Sequence, residues 1–172
     1  MKKIYIVLTY TGTALARIIR LYTRKEYSHV SISLDKNLTQ MYSFGRINPY
    51  IPFWGGFVQE SPSYGTFKRF KKTTSKIYSL EVSDEDYDHI KEAILQVNSH
   101  KDQYRFNVLG LVAAMVNKKL NRDKCFYCAE FVKYVLDQSD LEIELPKVVK
   151  PIDFENIQNL NVVYTGRLRD YS

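Results

Sequence analysis

The sequence predicts an α+β fold in which an antiparallel sheet packs against helices, one of them carrying an inward-facing thiol. Short apolar runs typical of strands lie in both halves of the chain, and several segments between them repeat apolar side chains at helical spacing. A polar loop at residues 35–37 joins two of the strand-like runs into a hairpin, which makes them antiparallel. The length favours one domain spanning residues 1–172.

The composition excludes several classes of protein. Hydrophobic residues at 45% and charged residues at 26% are typical of a globular protein rather than a disordered or fibrous one. The net charge of +6 allows attraction to anionic surfaces, and residues 68–72 form the densest basic cluster. No zinc-finger, RRM-type or helix-turn-helix pattern accompanies that cluster, so a nucleic-acid partner is not expected.

The N-terminal residues predict a strand rather than a targeting segment. The apolar run that follows the first two lysines stops at Leu8, and Arg17 and Arg20 interrupt what comes next. The sequence also lacks an apolar span near the roughly 20 residues that a transmembrane helix needs. These features and the free thiols predict a cytoplasmic protein.

The first half of the chain is predicted to alternate strands with one helix. Residues 4–9 form the first strand, and 11–13 cap a helix over 14–22. The hairpin strands are then predicted at 29–34 and 38–44.

Residues 45–65 are rich in Pro, Gly and aromatic side chains. This composition favours an irregular segment, either a cover over a cleft or an ordinary surface loop. The remaining predicted elements are a strand at 76–81, a helix capped near Ser83 and running to 98, a helix at 106–116, a short helix at 150–157 and a strand at 161–166.

The stretch after residue 124 predicts a helix that begins near a cysteine. Its apolar positions follow one helix face and are Cys128, Phe131, Val132, Val135 and Leu136. With Asp123 as N-cap, Cys128 would lie in the first one or two turns, where free backbone N–H groups favour a thiolate. An inward cysteine is also common as plain core, so both interpretations stand.

A histidine at the start of a strand supplies the second half of the candidate site. Polar and apolar residues alternate from His29 and Val30 onward, so His29 lies on the polar face of a half-buried strand. A hairpin that pairs Leu34 with Leu38 would place His29 opposite Ser43. An imidazole facing a thiol is the arrangement that a cysteine hydrolase requires, because the imidazole takes and later returns the proton.

The spacing Cys125-x-x-Cys128 admits a redox pair or half of a zinc site. A structural zinc site needs a second pair of ligands, and His29, His89 and His100 are isolated from one another. A thioredoxin-like pair would follow the first strand of a βαβ unit, whereas this one comes late in the chain. No metal or other cofactor is therefore expected.

Two blocks carry a resemblance to a known family. They are Thr23-x-x-x-Tyr27-Ser28-His29-Val30, after a short helix, and Phe126-Tyr-Cys128-Ala-Glu-Phe-Val132 far downstream. The sequence resembles the circularly permuted branch of the NlpC-type papain-like cysteine hydrolases, the YiiX-like proteins. Ordinary papain-like enzymes have the Cys helix before the His strand, and here the order is reversed. The resemblance implies a permuted papain-like fold with Cys128 as nucleophile and His29 as general base.

The group that orients His29 is left open among three residues. Ser43 is favoured by the predicted register, whereas Gln40 and Glu60 offer better acceptors for an imidazole N–H. Glu60 qualifies only if residues 45–65 fold back onto the hairpin.

The expected function is an amidase or peptidase that forms a thioester with an amide- or acyl-containing small molecule, peptide or lipid. In this reaction Cys125 should be dispensable. One alternative is acyl transfer, since the permuted relatives also resemble lecithin-retinol-type acyltransferases. Another is a non-catalytic module that binds anionic lipid or cell-wall polymer.

Overall fold

A computed structural model describes residues 1–48, 50–51, 54–120 and 122–171. Within these ranges an antiparallel sheet runs through the molecule. Its strands are β1 (Lys2–Tyr10), β2 (His29–Ser33), β3 (Met41–Arg46), β4 (Gly55–Glu60), β5 (Thr74–Val82) and β8 (Asn161–Arg167). Their spatial order is β4-β3-β2-β1-β5-β8, and every neighbouring pair is antiparallel.

The other described elements are five α-helices, a short strand pair and three 3-10 helices, at Lys101–Gln103, Pro151–Asn156 and Leu168–Asp170. The α-helices are α1 (Ala14–Thr23), α2 (Gly65–Arg69), α3 (Asp84–Ser99), α4 (Val108–Met115) and α5 (Cys128–Leu136). The strands β6 (Arg105–Phe106) and β7 (Cys125–Phe126) pair in parallel. These elements confirm the predicted α+β class with an antiparallel sheet and packed helices.

The larger core lies between one sheet face and helices α3 and α5. Alternate side chains of β1 and β2, such as Ile6 and Ile32, meet the buried face of α5, which includes Phe131 and Val132. Because side chains alternate across a strand, this packing fixes which residues of β2 face the helices. The odd-numbered residues of β2, His29 among them, therefore belong to the other face.

That second face is also covered. Ser31 and Ser33 are fully buried, and Leu38, Phe67 and Leu168 belong to a smaller apolar cluster on this side. The prediction that β2 is half-buried is therefore wrong, because α2 and residues near the C-terminus, such as Leu168, cover a face that the sequence pattern suggests is exposed.

The starts of α1 and α3 were predicted correctly from their capping residues, whereas the start of α5 was not. The hydroxyls of Thr13 and Ser83 accept backbone N–H bonds at the starts of α1 and α3, as predicted. Helix α5 begins at Cys128 with Tyr127 at the N-cap, so the prediction of Asp123 there is wrong. The reason is the β6–β7 pairing, which holds residues 125–126 extended.

The hairpin register differs from the prediction by two residues. Ser33 pairs with Met41, and Leu38 lies in the connection with φ of 56° rather than in β3. The Asp35 carboxylate accepts backbone N–H bonds from Thr39 and Gln40, which stabilises a longer turn. An even shift keeps each side chain on its predicted face.

The segment 45–65 is more regular than predicted. It contains β4, which pairs with β3 along its whole length. Gly55 pairs with Arg46 at one end, and Glu60 pairs with Met41 at the other. The predicted irregular cover includes Pro49, Pro52 and Phe53, which lie outside the described residues. Among the helices that are described, none has the length and apolar character needed to span a membrane.

Candidate functional site

An open pocket lies where β2 begins. It brings together side chains from both sequence blocks and from the strand β4. Its polar and small members include Ser28, His29, Gly45, Arg46, Glu60 and Cys128. Its apolar wall comes from α1, α2, α4 and the sheet, with Leu15, Ile19, Phe44, Phe67, Phe106 and Leu111.

His29 and Glu60 form a close ion pair in this pocket. The Nε2 atom of His29 lies 3.0 Å from Oε1 and 3.2 Å from Oε2 of Glu60. The two side chains are only 18% and 10% exposed, so solvent screens their attraction weakly. Glu60 is thus brought to the imidazole by the pairing of β4 with β3.

A glycine makes room for this pair on the intervening strand. A Cβ atom at Gly45 would lie 3.3 Å from Oε1 of Glu60 and 3.4 Å from Cε1 of His29. The ion pair therefore fills the space that a side chain at position 45 would need.

Ser31 is a site residue that the sequence interpretation missed. Its hydroxyl donates a hydrogen bond to Oε2 of Glu60 and lies 3.4 Å from Nε2 of His29. The sequence feature that could have identified Ser31 is its position two residues after His29, which puts both side chains on the same face of β2. Ser31 holds the carboxylate against the imidazole.

Cys128 reaches the same pocket from the first position of α5 and is 5% exposed. Burial acts to lower the pKa of His29, but the Glu60 charge, hydrogen bonds to Cys128 and Glu60, and the charge of Cys128 together raise it to about 10. The Glu60 carboxylate therefore favours the protonated form of the His29 ring.

A buried polar network fixes the start of α5. Oε2 of Glu130 accepts the backbone N–H of Tyr127 and a bond from the amide of Asn107, both at 3.2 Å. Asn107 is fully buried and also donates to the carbonyl of Leu120 and accepts from the N–H of Gly110. Asn107 therefore links the beginning of α4 to the turn that presents Cys128.

We expect Asn107→Ala to lower the free energy of unfolding by about 1–3 kcal/mol, because it leaves buried polar partners unsatisfied. Urea unfolding measures this change. Asn161→Ala is the control, since Asn161 is exposed on β8. Equal stability of the two variants would show that the network contributes little.

The other sequence candidates are placed differently. The buried hydroxyl of Ser43 donates to the carbonyl of Val30 at 2.7 Å, and in the observed register Ser43 no longer lies opposite His29. The basis for choosing Ser43 is therefore lost. Gln40 is exposed in the hairpin connection. Cys125 lies in β7 and lines a separate pocket beside Lys119 and Arg122.

A metal centre does not fit the described side chains. Over residues 1–48, 50–51, 54–120 and 122–171, His, Cys, Asp and Glu do not gather in a group of three or more that could hold an ion. His29 and Glu60 are instead in direct hydrogen-bonding contact, and Cys128 lines the same pocket.

Comparisons with known proteins identify a related fold. No protein-family model and no curated protein matches the sequence. The structure is similar to the crystal structure of the metalloprotein YiiX from Escherichia coli O157:H7, with a TM-score of 0.54 and 14% identity. The match covers 95% of this chain and 97% of that chain. It supports a YiiX-like fold, from which a reaction does not follow.

Proposed function

We propose that this chain is a thiol-dependent hydrolase that cleaves an amide or related acyl bond through a thioester on Cys128. The observation that carries the proposal is one pocket in which Glu60 lies 3.0 Å from the His29 ring and Cys128 is close enough to His29 to help raise its pKa. A nucleophile, a base and a group that orients the base are the parts that such a reaction needs.

In the proposed first step, the Cys128 sulfur attacks the acyl carbon while the thiol proton resides on His29. The carbonyl oxygen becomes an oxyanion, for which the backbone N–H of Cys128, at the start of α5, is the proposed donor. Collapse of this intermediate breaks the bond to the leaving amine or alcohol, which takes the proton from His29. The acyl group remains on sulfur as a thioester.

In the second step, neutral His29 removes a proton from water, which attacks the thioester carbon. The carbon–sulfur bond breaks, the acid is released, and the thiolate and imidazolium return. Glu60 does not touch the substrate in this scheme. It is a positioning residue that fixes the ring direction and stabilises the imidazolium.

The pocket supports an acyl substrate with an apolar portion, whether small molecule, peptide or lipid. Its wall is largely aromatic and aliphatic, and Arg46 is its main cationic group. The Arg46 guanidinium donates to the hydroxyl of Thr13 at 2.9 Å, and burial lowers its pKa.

Acyl transfer is a second candidate because a smaller pocket with a largely apolar lining adjoins the first. Ile19, Ser28 and Leu111 line both pockets. An apolar lining that limits the access of water would favour capture of the thioester by an alcohol or amine.

The proposal is tested with p-nitrophenyl esters of increasing acyl length, followed by intact-protein mass spectrometry. We expect one added acyl mass on the wild-type protein and on Cys125→Ser, and none on Cys128→Ala. His29→Ala should form the adduct about 10²–10⁴-fold more slowly, because proton transfer is lost. Release of the acyl group as acid supports hydrolysis, whereas release only after addition of an alcohol or amine supports transfer. An equal adduct on Cys128→Ala would refute the proposed nucleophile.

A further inference from the structure

The helix α4 has an unusual surface. None of its eight residues carries a polar side chain, yet its outward face is in solvent. Leu109, Val112 and Val116, which directly follows the helix, are 58%, 53% and 57% exposed. A helix that is apolar on every side is normally buried in protein or lipid.

The neighbouring helix α1 extends this apolar region. Ala16 and Ile19 are buried, whereas Ile18, Leu21 and Tyr22 are 48%, 75% and 64% exposed. The inner faces of the two helices line the same pockets, so the helices are neighbours. We call the exposed set the α1–α4 surface: Ile18, Leu21, Tyr22, Leu109, Val112 and Val116.

Basic side chains flank the α1–α4 surface. Arg17, Arg20 and Arg24 follow one another at helical spacing on α1 and its C-cap, and Lys118 and Lys119 come just after α4. Residues 13–25 and 108–119 together carry six basic and no acidic side chains. Their formal charge of +6 equals the net charge of the whole chain. All six are exposed, and none makes a salt bridge within the described part of the chain.

We propose that the α1–α4 surface docks on an anionic phospholipid bilayer. The apolar side chains enter the boundary between headgroups and acyl chains, and the flanking cations meet the lipid phosphates. A symmetric dimer through the same surface would bring two sets of six cations together, which opposes self-association. Six exposed apolar side chains that are flanked only by positive charge are better suited to contact with a lipid interface than to contact with water.

The test is co-sedimentation of the full chain with vesicles of phosphatidylglycerol and phosphatidylcholine, compared with phosphatidylcholine alone. We expect binding to the anionic vesicles, weakened by high salt because salt screens the cations. Val112→Glu should abolish binding. Lys118→Gln combined with Lys119→Gln should weaken it roughly 10- to 30-fold.

Matched controls separate docking from unfolding and from bulk charge. Leu95→Glu changes a residue of α3 that is 46% exposed, and Lys71→Gln with Lys72→Gln removes two exposed lysines elsewhere. Both controls should bind as wild type, and thermal melts should show that every variant is folded.

Failure of the wild-type protein to bind anionic vesicles would overturn the proposal, as would equal binding by folded Val112→Glu. A concentration-dependent dimer that Val112→Glu dissociates, without vesicle binding, would assign the surface to a second copy instead. Vesicle binding is measured without substrate, so its outcome is independent of the proposed hydrolase activity.

Discussion

Iodoacetamide should alkylate Cys128 before Cys125 at mildly acidic pH, although Cys128 is the more buried of the two thiols. His29 stays protonated beside Cys128 up to a pH of about 10, which favours the thiolate that alkylation requires. An ordinary thiol with a pKa of about 8.5 is only about one-thousandth thiolate at pH 5.5. We therefore expect the labelling rates to differ by roughly 10²-fold or more.

Intact-protein mass spectrometry on Cys125→Ser and Cys128→Ser measures each thiol alone. Cys125→Ser should label at the wild-type rate, and Cys128→Ser should label slowly. In a Cys125→Ser background, His29→Ala should remove the advantage of Cys128 at low pH. Fast labelling that persists in Cys128→Ser would mean that the reactive sulfur is Cys125.

Glu60→Gln should lower the pKa of His29 from about 10 toward its ordinary value near 6.5. The substitution removes the carboxylate charge while keeping a side chain of similar size, and burial then acts against the protonated ring. NMR titration of the His29 ring measures the change. Ser43→Ala is the matched control, because its hydroxyl bonds to the Val30 carbonyl. A shift with Ser43→Ala and none with Glu60→Gln would reverse the assignment.

The same ion pair predicts how stability depends on pH. A histidine whose pKa is raised in the folded state stabilises that state fully below the unfolded pKa of about 6.5. This stabilisation is lost as the pH rises through about 10. The difference in free energy of unfolding between wild type and Glu60→Gln should therefore be largest near pH 6.5 and shrink as the pH rises toward 10.

Local signals in the sequence were sufficient for much of the fold. The hydroxyls of Thr13 and Ser83 begin their helices as predicted, and the apolar spacing after Cys128 places its side chain inward. His29 and Cys128 stand out because each lies in a distinctive local block. The likeness to YiiX supports the YiiX-like part of that resemblance at the level of the fold alone.

Pairings between distant segments were not predictable in the same way. The hairpin register depends on how Asp35 binds the turn, and the start of α5 depends on β7 meeting β6. The sequence names Glu60 as one candidate for orienting His29 but cannot select it, because its position depends on the pairing of β4 with β3. Ser31 was not predicted as a site residue because the sequence does not show that its hydroxyl contacts Glu60.

The strand order has a consequence for how the chain folds. His29 and Glu60 come from β2 and β4 with β3 between them, and Cys128 arrives from a helix near the other end of the sequence. Such contacts have high sequence separation, so we expect them to form late, after the loop-closure entropy of the sheet has been overcome. Reactivity at Cys128 should thus arise only in the last stage of folding. Its loss in mild denaturant should track global unfolding rather than local opening of one segment.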